Sequence, residues 1–267
     1  MGDRSSRRPL VSGNWKMNHD HLQAIRYIQD LGMRLNAADL QVVDVSVHPP
    51  FTDLRSVQTV LEDRGIDVIL GAQHCYSVDA GAFTGEVAAP MLARLGIKYV
   101  IVGHSERRQL FGQTDAEVSA TLRAILRSNM TPILCVGETE LEREDGVTEE
   151  RLASQVNAAL ADVPRLQVEG LVVAYEPIWA IGTGNTATAQ DAQSACAYIR
   201  RCIADLAGGD AGGAVRIQYG GSVRPDNTGD LMGEPDVDGL LVGGASLEAP
   251  SFAAIAHAAA VTVGARG

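Results

Sequence analysis

Basic residues are scarce in this chain of 267. Its 22 Lys and Arg face 33 Asp and Glu, for a formal net charge of −11. Nucleic acid and anionic lipid surfaces both recruit basic fields, so neither is expected as a partner. Long apolar runs are also missing, and no stretch approaches the ~20 residues that span a bilayer. Cysteine is confined to Cys75, Cys135, Cys196 and Cys202, with no CxxC pair and no Cys/His spacing suited to zinc. That usage points to free thiols in a reducing compartment and to a cytoplasmic protein. Targeting signals are thin. Met1-Gly2-Asp3-Arg4-Ser5-Ser6 matches an acylation pattern loosely, and Arg7-Arg8 resembles a twin-arginine start, but no apolar segment follows either. Nor does a GxGxxG fingerprint follow the first strand, which weighs against an open dinucleotide-binding sheet. No linker divides the chain. The expectation is one domain over residues 1–267, with 1–8 a flexible extension and the glycine-rich Gly208–Gly213 an exposed connection.

What is present is alternation. Short β-branched runs occur at Pro9–Gly13, Val42–His48, Asp67–Gly71, Tyr99–Gly103, Thr131–Cys135, Leu171–Tyr175, Val215–Tyr219 and Gly239–Val242. Most are continuously apolar, as strands covered on both faces are. Amphipathic stretches separate them. Leu22, Ile25, Ile28, Leu31 and Leu35 form one helical stripe; Ala192, Cys196, Ile199, Ile203 and Leu206 form another. Thr114-x-x-Glu117 and Thr188-x-x-Asp191 are spaced as capping boxes. Each unit takes about 33 residues, the size of a βα repeat, and eight such units can close a parallel sheet. The expected fold is α/β, a single-domain (β/α)8 barrel with eight parallel strands.

In such a barrel the chemistry sits at the carboxyl ends of the strands. There the chain carries Gly13-Asn14-Trp15-Lys16-Met17-Asn18, Gly103-His104-Ser105-Glu106-Arg107-Arg108, Glu176-Pro177-Ile178-Trp179-Ala180-Ile181-Gly182-Thr183-Gly184, Gly220-Gly221-Ser222-Val223 and Gly243-Gly244-Ala245-Ser246. The blocks GNWKMN, YVIVGHSERR, AYEPIWAIGTG and YGGSV, in this order and at these separations, resemble the triosephosphate isomerase family over nearly the whole chain.

The resemblance implies an aldose–ketose isomerase of glycolysis and gluconeogenesis. It would interconvert dihydroxyacetone phosphate and glyceraldehyde 3-phosphate through an enediolate, with no metal or organic cofactor. Glu176 would be the base, its basicity raised by desolvation. His104 would be a neutral electrophile, its pKa lowered by a helix N-terminus. Lys16 would stabilise the enediolate charge, Asn14 would orient substrate and lysine, and Glu106 would hold the Lys16 ammonium. Backbone N–H groups of Gly182, Gly221, Ser222, Gly243 and Gly244 would bind the phosphate. The segment Pro177, Ile178, Trp179, Ala180, Ile181, Gly182, Thr183, Gly184 would be a lid. The loop Gln73–Glu86 would carry Thr84 into a second subunit of a homodimer.

Three positions depart from the family's usual pattern: His74 replaces asparagine, Gln113 replaces a glutamate that pairs with Arg107, and Asn185 replaces a basic residue. Two other readings share the motifs. One is an isomerase of a four-carbon ketose phosphate, the other a non-catalytic phosphate-binding protein. A pure binder, however, has no use for the set Lys16, His104 and Glu176.

Overall fold

A strand, then a helix, then the next strand in parallel: this pattern repeats until the eighth strand meets the first. The structure is a computed structural model that describes residues 7–181 and 187–265. The strands are β1 (Leu10–Asn14), β2 (Asp44–His48), β3 (Ile69–Ala72), β4 (Tyr99–Val102), β5 (Thr131–Val136), β6 (Val172–Tyr175), β7 (Arg216–Tyr219) and β8 (Gly239–Val242). They pair in sequence order, all parallel, and β1 pairs with β8 to close the barrel. Helices form the outer ring, so the fold is the expected (β/α)8 barrel.

Two apolar clusters explain why nearly every strand residue is buried. The larger, with Val11, Val45, Val47, Val100, Val102, Leu134 and Val173, fills the space between the sheet and its helices. The smaller fills the barrel itself with Leu10, Tyr99, Ile101, Ile133, Cys135, Val172, Ala174 and Leu241. Successive residues thus serve opposite faces, as strand alternation requires.

Helix boundaries follow local chemistry. Asp20 caps His21–Arg34 through the amides of Leu22 and Gln23. Thr114 and Thr188 form the expected capping boxes with Glu117 and Asp191. The first helix buries Ala24, Tyr27, Ile28 and Leu31, and leaves Leu22 exposed.

Several expectations need correction. Val42 closes a short helix, Ala37–Val42, instead of opening β2. Asn36 caps that helix, and the Val43 amide is spent on the Asp39 carbonyl, so the ladder starts at Asp44. The glycine-rich stretch is not an exposed connection. Gly209–Ala214 is helical, with Ala211 and Gly212 buried. A Cβ on Gly212 would lie 2.7 Å from that of Ala204, so glycine lets this helix seat against Ala189–Ala207.

The supposed extension is also shorter than eight residues. Arg7 is buried and donates from Nε to Asp238 at 2.8 Å, while Arg8 reaches Asp44 at 2.5 Å. A buried guanidinium is retained only where anions and carbonyls meet it; Asp238 and the Gly213 carbonyl do so here. The acylation-like Met1–Ser6 lies outside the described residues.

Candidate active site

The carboxyl ends of the strands enclose a cavity of about 590 Å³, lined by Asn14, Lys16, His104, Glu176, Ile181, Gly220, Gly221, Ser222, Arg224, Leu241, Gly243 and Gly244. Residues drawn from five separate sequence blocks therefore meet in one place.

Glu176 follows β6 directly and is 2% exposed. Its Oε1 lies 2.9 Å from His104 Nε2, and its Oε2 accepts the Ser105 amide at 2.9 Å. His104 is the N-cap of the helix Ser105–Phe111, and its Nδ1 accepts the Glu106 amide at 3.2 Å. A nitrogen that accepts carries no proton, so Nε2 holds it and donates to Glu176. The chain folds this way because Gly103, at φ +71°, turns β4 into that helix.

The pair sets both ionisations. Burial opposes charge on each group, but mutual attraction prevails. His104 is raised, with Glu106 helping and Lys16 opposing. Glu176 is lowered by His104, the Ser105 amide and Lys16. Both directions are opposite to those the resemblance implies. The cause is the direct contact between the two groups, which favours the charged form of each.

Lys16 sits at φ +53°, a left-handed conformation unfavourable for a residue with a Cβ. Asn14 Oδ1 accepts its amide at 3.0 Å, and Gln73 Nε2 donates to its carbonyl at 2.7 Å. Its ammonium meets Glu106 Oε1 at 2.6 Å. Both ends of the lysine are therefore held.

The glycines opposite have different reasons to exist. A Cβ on Gly221 would collide with the Tyr219 hydroxyl, so packing alone demands glycine there. A Cβ on Gly244 would meet no described atom within 4 Å, and one on Gly243 would meet only Lys16, at 3.5 Å or more. No packing reason requires glycine at these two, and both face the cavity. The Ser222 hydroxyl is engaged elsewhere, donating to the Ala180 carbonyl at 3.1 Å.

Of the expected lid, Pro177–Ile181 is described, with a single 3-10 turn over Ile178–Ala180. Gly182, Thr183, Gly184 and Asn185 lie outside the described residues. The stem has an anchor that the sequence did not suggest. Glu138, fully buried beyond β5, accepts from Trp179 Nε1 at 2.8 Å and from the Tyr175 hydroxyl at 3.0 Å. Burial pushes its carboxyl above the ordinary range despite those donors and Arg143. Arg143 also stacks over the Trp179 ring at 4.1 Å. Arg224, at the cavity rim, is a second residue that no sequence motif pointed to.

Thr84 is not part of the cavity; it is exposed on its own loop beside Phe83. Glu106 lines a second cavity of about 400 Å³ with Lys16, Met17, Phe51, Gln73, His74, Arg107 and Phe111. Met17 and Phe111 are 95% and 70% exposed there. His74 Nδ1, Arg107 Nε and Gln113 Oε1 are buried without a partner among the described residues.

Comparison with known proteins places the chain in a family. The profile of the family described as triosephosphate isomerase matches residues 9–259. A triosephosphate isomerase of Streptomyces avermitilis is 49% identical over 95% of this chain and 98% of its own length. That of Chloroflexus aurantiacus is 51% identical over 94% and 99%. That of Corynebacterium diphtheriae is 48% identical over 97% and 99%. With its fold, its cavity and these relatives in agreement, the chain belongs to the triosephosphate isomerase family and is an isomerase of triose phosphate.

Proposed function

We propose that Glu176 removes the proton beside the substrate carbonyl while His104 and Lys16 hold the developing enediolate. The 2.9 Å His104–Glu176 contact at the cavity floor carries this reading. A substrate oxygen entering between them takes the His104 N–H for itself. Glu176 then loses a donor while still buried, and its basicity rises. The proton leaves carbon for the carboxylate, and the charge left on oxygen meets one imidazole N–H and the Lys16 ammonium. His104 gives its Nε2 proton to the charged oxygen and takes the hydroxyl proton from the neighbouring oxygen, and Glu176 returns its own proton to the carbon that was the carbonyl, so the carbonyl moves by one position. Asn14 keeps Lys16 in its strained pose, and Glu106 aims its ammonium.

The phosphate lies against the amides of Gly221, Ser222, Gly243 and Gly244, joined by Gly182 when residues 177–184 close. The unhindered glycines 243 and 244 support this placement. Excising residues 178–183 separates a lid from a fixed roof. On the lid reading the variant folds, loses most activity and releases methylglyoxal, because an unprotected enediol phosphate expels its phosphate. Normal turnover without methylglyoxal refutes it. No metal or organic cofactor takes part, and the protein acts in the cytoplasm.

Three-carbon substrates are preferred over four-carbon ketose phosphates. Isomerisation rates on the two classes decide that point. A protein that binds phosphate but turns over neither is a pure binder, and the whole reading fails.

The working unit is a homodimer. Buried donors and acceptors at His74, Arg107 and Gln113 need partners, exposed Met17 and Phe111 line the same cavity as His74 and Arg107, and Phe83 is exposed on the Thr84 loop. A second copy's Thr84 loop, inserted into the cavity beside Lys16, satisfies both. A fully active monomer in sedimentation overturns this part.

A further inference from the structure

Among the buried titratable side chains inside the barrel that have no part in the proton transfer, His48 is the one tied into a hydrogen-bonded chain toward Lys16. His48, the last residue of β2, is completely buried. Its Nδ1 lies 3.1 Å from the Ala72 carbonyl and its Nε2 3.1 Å from Ser46 Oγ. Ser46 Oγ lies 2.9 Å from Ser12 Oγ, which receives Gln218 Nε2 at 2.8 Å. The ring fits only because β3 has Gly71 beside it, where a Cβ would strike the imidazole.

The proton directions follow from chemistry. A carbonyl only accepts, so Nδ1 carries the ring proton and Nε2 accepts from Ser46. The single Ser46 proton is thereby committed, so the Ser12 hydroxyl donates to Ser46. Ser12 in turn accepts from Gln218. Gln218 is fixed at its end, because the same nitrogen also meets the Leu10 and Leu240 carbonyls at 3.0 and 3.2 Å. Its oxygen is buried without a partner among the described residues. The result is one directional chain linking β7, β1, β2 and β3. It runs beneath the exit of β1 that carries Asn14 and Lys16.

At that exit, the His48 carbonyl receives the Trp15 amide at 3.2 Å and Gln73 Nε2 at 2.8 Å. That Gln73 nitrogen is the one that holds the Lys16 carbonyl. From this arrangement we infer that His48 is a positioning residue for the isomerase reaction. In its Nδ1–H form it fixes the β1–β2 exit on which the strained Lys16 rests. The inference depends on the isomerase reading above.

Protonating His48 would undo the arrangement. Nε2–H would donate to Ser46 and Ser46 to Ser12, and the Ser12 proton would then face a nitrogen that is itself donating. Flipping Gln218 would relieve this only by setting its oxygen against two carbonyls. Among the described residues no carboxylate stands ready to stabilise the cation. Just past β1, Lys16 is paired with Glu106; on β2, Asp44 is paired with Arg8 and Arg216; the end of β3 and the residue after it offer Gly71, Ala72 and Gln73, none of them charged. Burial, only partly countered by the Ala72 carbonyl, pushes the ring pKa down to about 4.

The test compares wild type with His48→Gln and His48→Leu, measuring kcat and KM from pH 4.5 to 8.5, with imidazole ¹⁵N shifts of the wild type. Above about pH 6, His48→Leu should lose roughly 3–10-fold in kcat/KM, short of the ~100-fold that a full 1 Å displacement costs. The wild-type advantage over both variants should shrink reversibly as pH falls toward the His48 pKa. The ¹⁵N shifts should report the Nδ1–H tautomer. A purely structural histidine would lower Tm and leave the kinetic ratio flat with pH, which overturns the proposal, as does an Nε2–H tautomer. If His48→Leu fails to fold, His48→Gln and the ¹⁵N shifts still decide. Wild-type protein inactive on triose phosphate would refute the isomerase reading instead, and the tautomer would stand as a separate result.

Discussion

The barrel interior has two unlike sides. Below Glu176 and His104 the inward residues of β4, β5 and β6 are Tyr99, Ile101, Ile133, Cys135, Val172 and Ala174, and they join in one apolar cluster. Below Asn14 and Lys16 the inward residues include Ser12, Ser46, His48 and Gln218, joined by hydrogen bonds. The difference matches what each side supports. A base gains from dry surroundings, which raise its basicity once its partner is diverted. A cation held in a strained backbone needs direction, which apolar packing supplies poorly and hydrogen bonds supply well.

The largest expected effect tests the dry side. Glu176→Gln should lower kcat by about 10²–10⁴-fold, the range of a general base, while binding of a phosphate-bearing inhibitor stays close to normal. Near-normal turnover in this variant would remove Glu176 from the mechanism.

Next comes packing. Ile133→Ala opens space in the apolar column and should cost about 2–5 kcal/mol of unfolding free energy, measured by urea titration. A loss below about 1 kcal/mol, on the order of a surface change, would mean that side is loosely packed.

On the polar side the corresponding change is smaller. Ser46→Ala leaves His48 Nε2 and the Ser12 proton without partners and should cost about 1–3 kcal/mol. Because the chain acts as a unit, a second change at Gln218 should add less than it costs alone. Full additivity would dissolve the chain into separate contacts.

The smallest effect is acid-linked. His48 is held neutral at about 4, whereas an unfolded histidine titrates near 6.5. The unfolded state therefore binds the extra proton between those values, and stability falls as pH drops through that window. At pH 5.5 the penalty is about 1 kcal/mol relative to neutral pH. His48→Gln removes it, so its Tm should fall less between pH 7 and 5.5 than that of the wild type. His74, also lowered by burial to about 4, contributes in the same window in both proteins.

How much of this was legible beforehand depended on how each signal is written in the chain. Runs such as Tyr99-Val100-Ile101-Val102 declare buried strands by composition alone, and the site blocks lie at strand ends where a barrel concentrates function. Ser46 and His48 gave no such signal. In Val45-Ser46-Val47-His48 they read as ordinary alternation, and only the closed register shows that the polar positions point inward to Ser12 and Gln218. Glu138 was hidden for a related reason. Nothing in Gly137-Glu138-Thr139 announces a partner at Trp179, 41 positions later. Gly212 misled because glycine is used both in loops and where helices touch, and composition does not separate the two.

Arg7 bears on when the barrel can form during synthesis. Its anion, Asp238, lies 231 positions further along and also accepts from Arg200. The β1–β8 ladder that completes the cylinder likewise joins Leu10 to Gly239. A chain emerging from the ribosome can assemble neighbouring βα units early, because those contacts are local. It cannot close until β8 is out, and until then β1 and the growing strand each present a bare edge. The nascent protein thus passes through an open, edge-exposed sheet. A stalled chain ending before Asp238 should be markedly more sensitive to protease than one that includes β8.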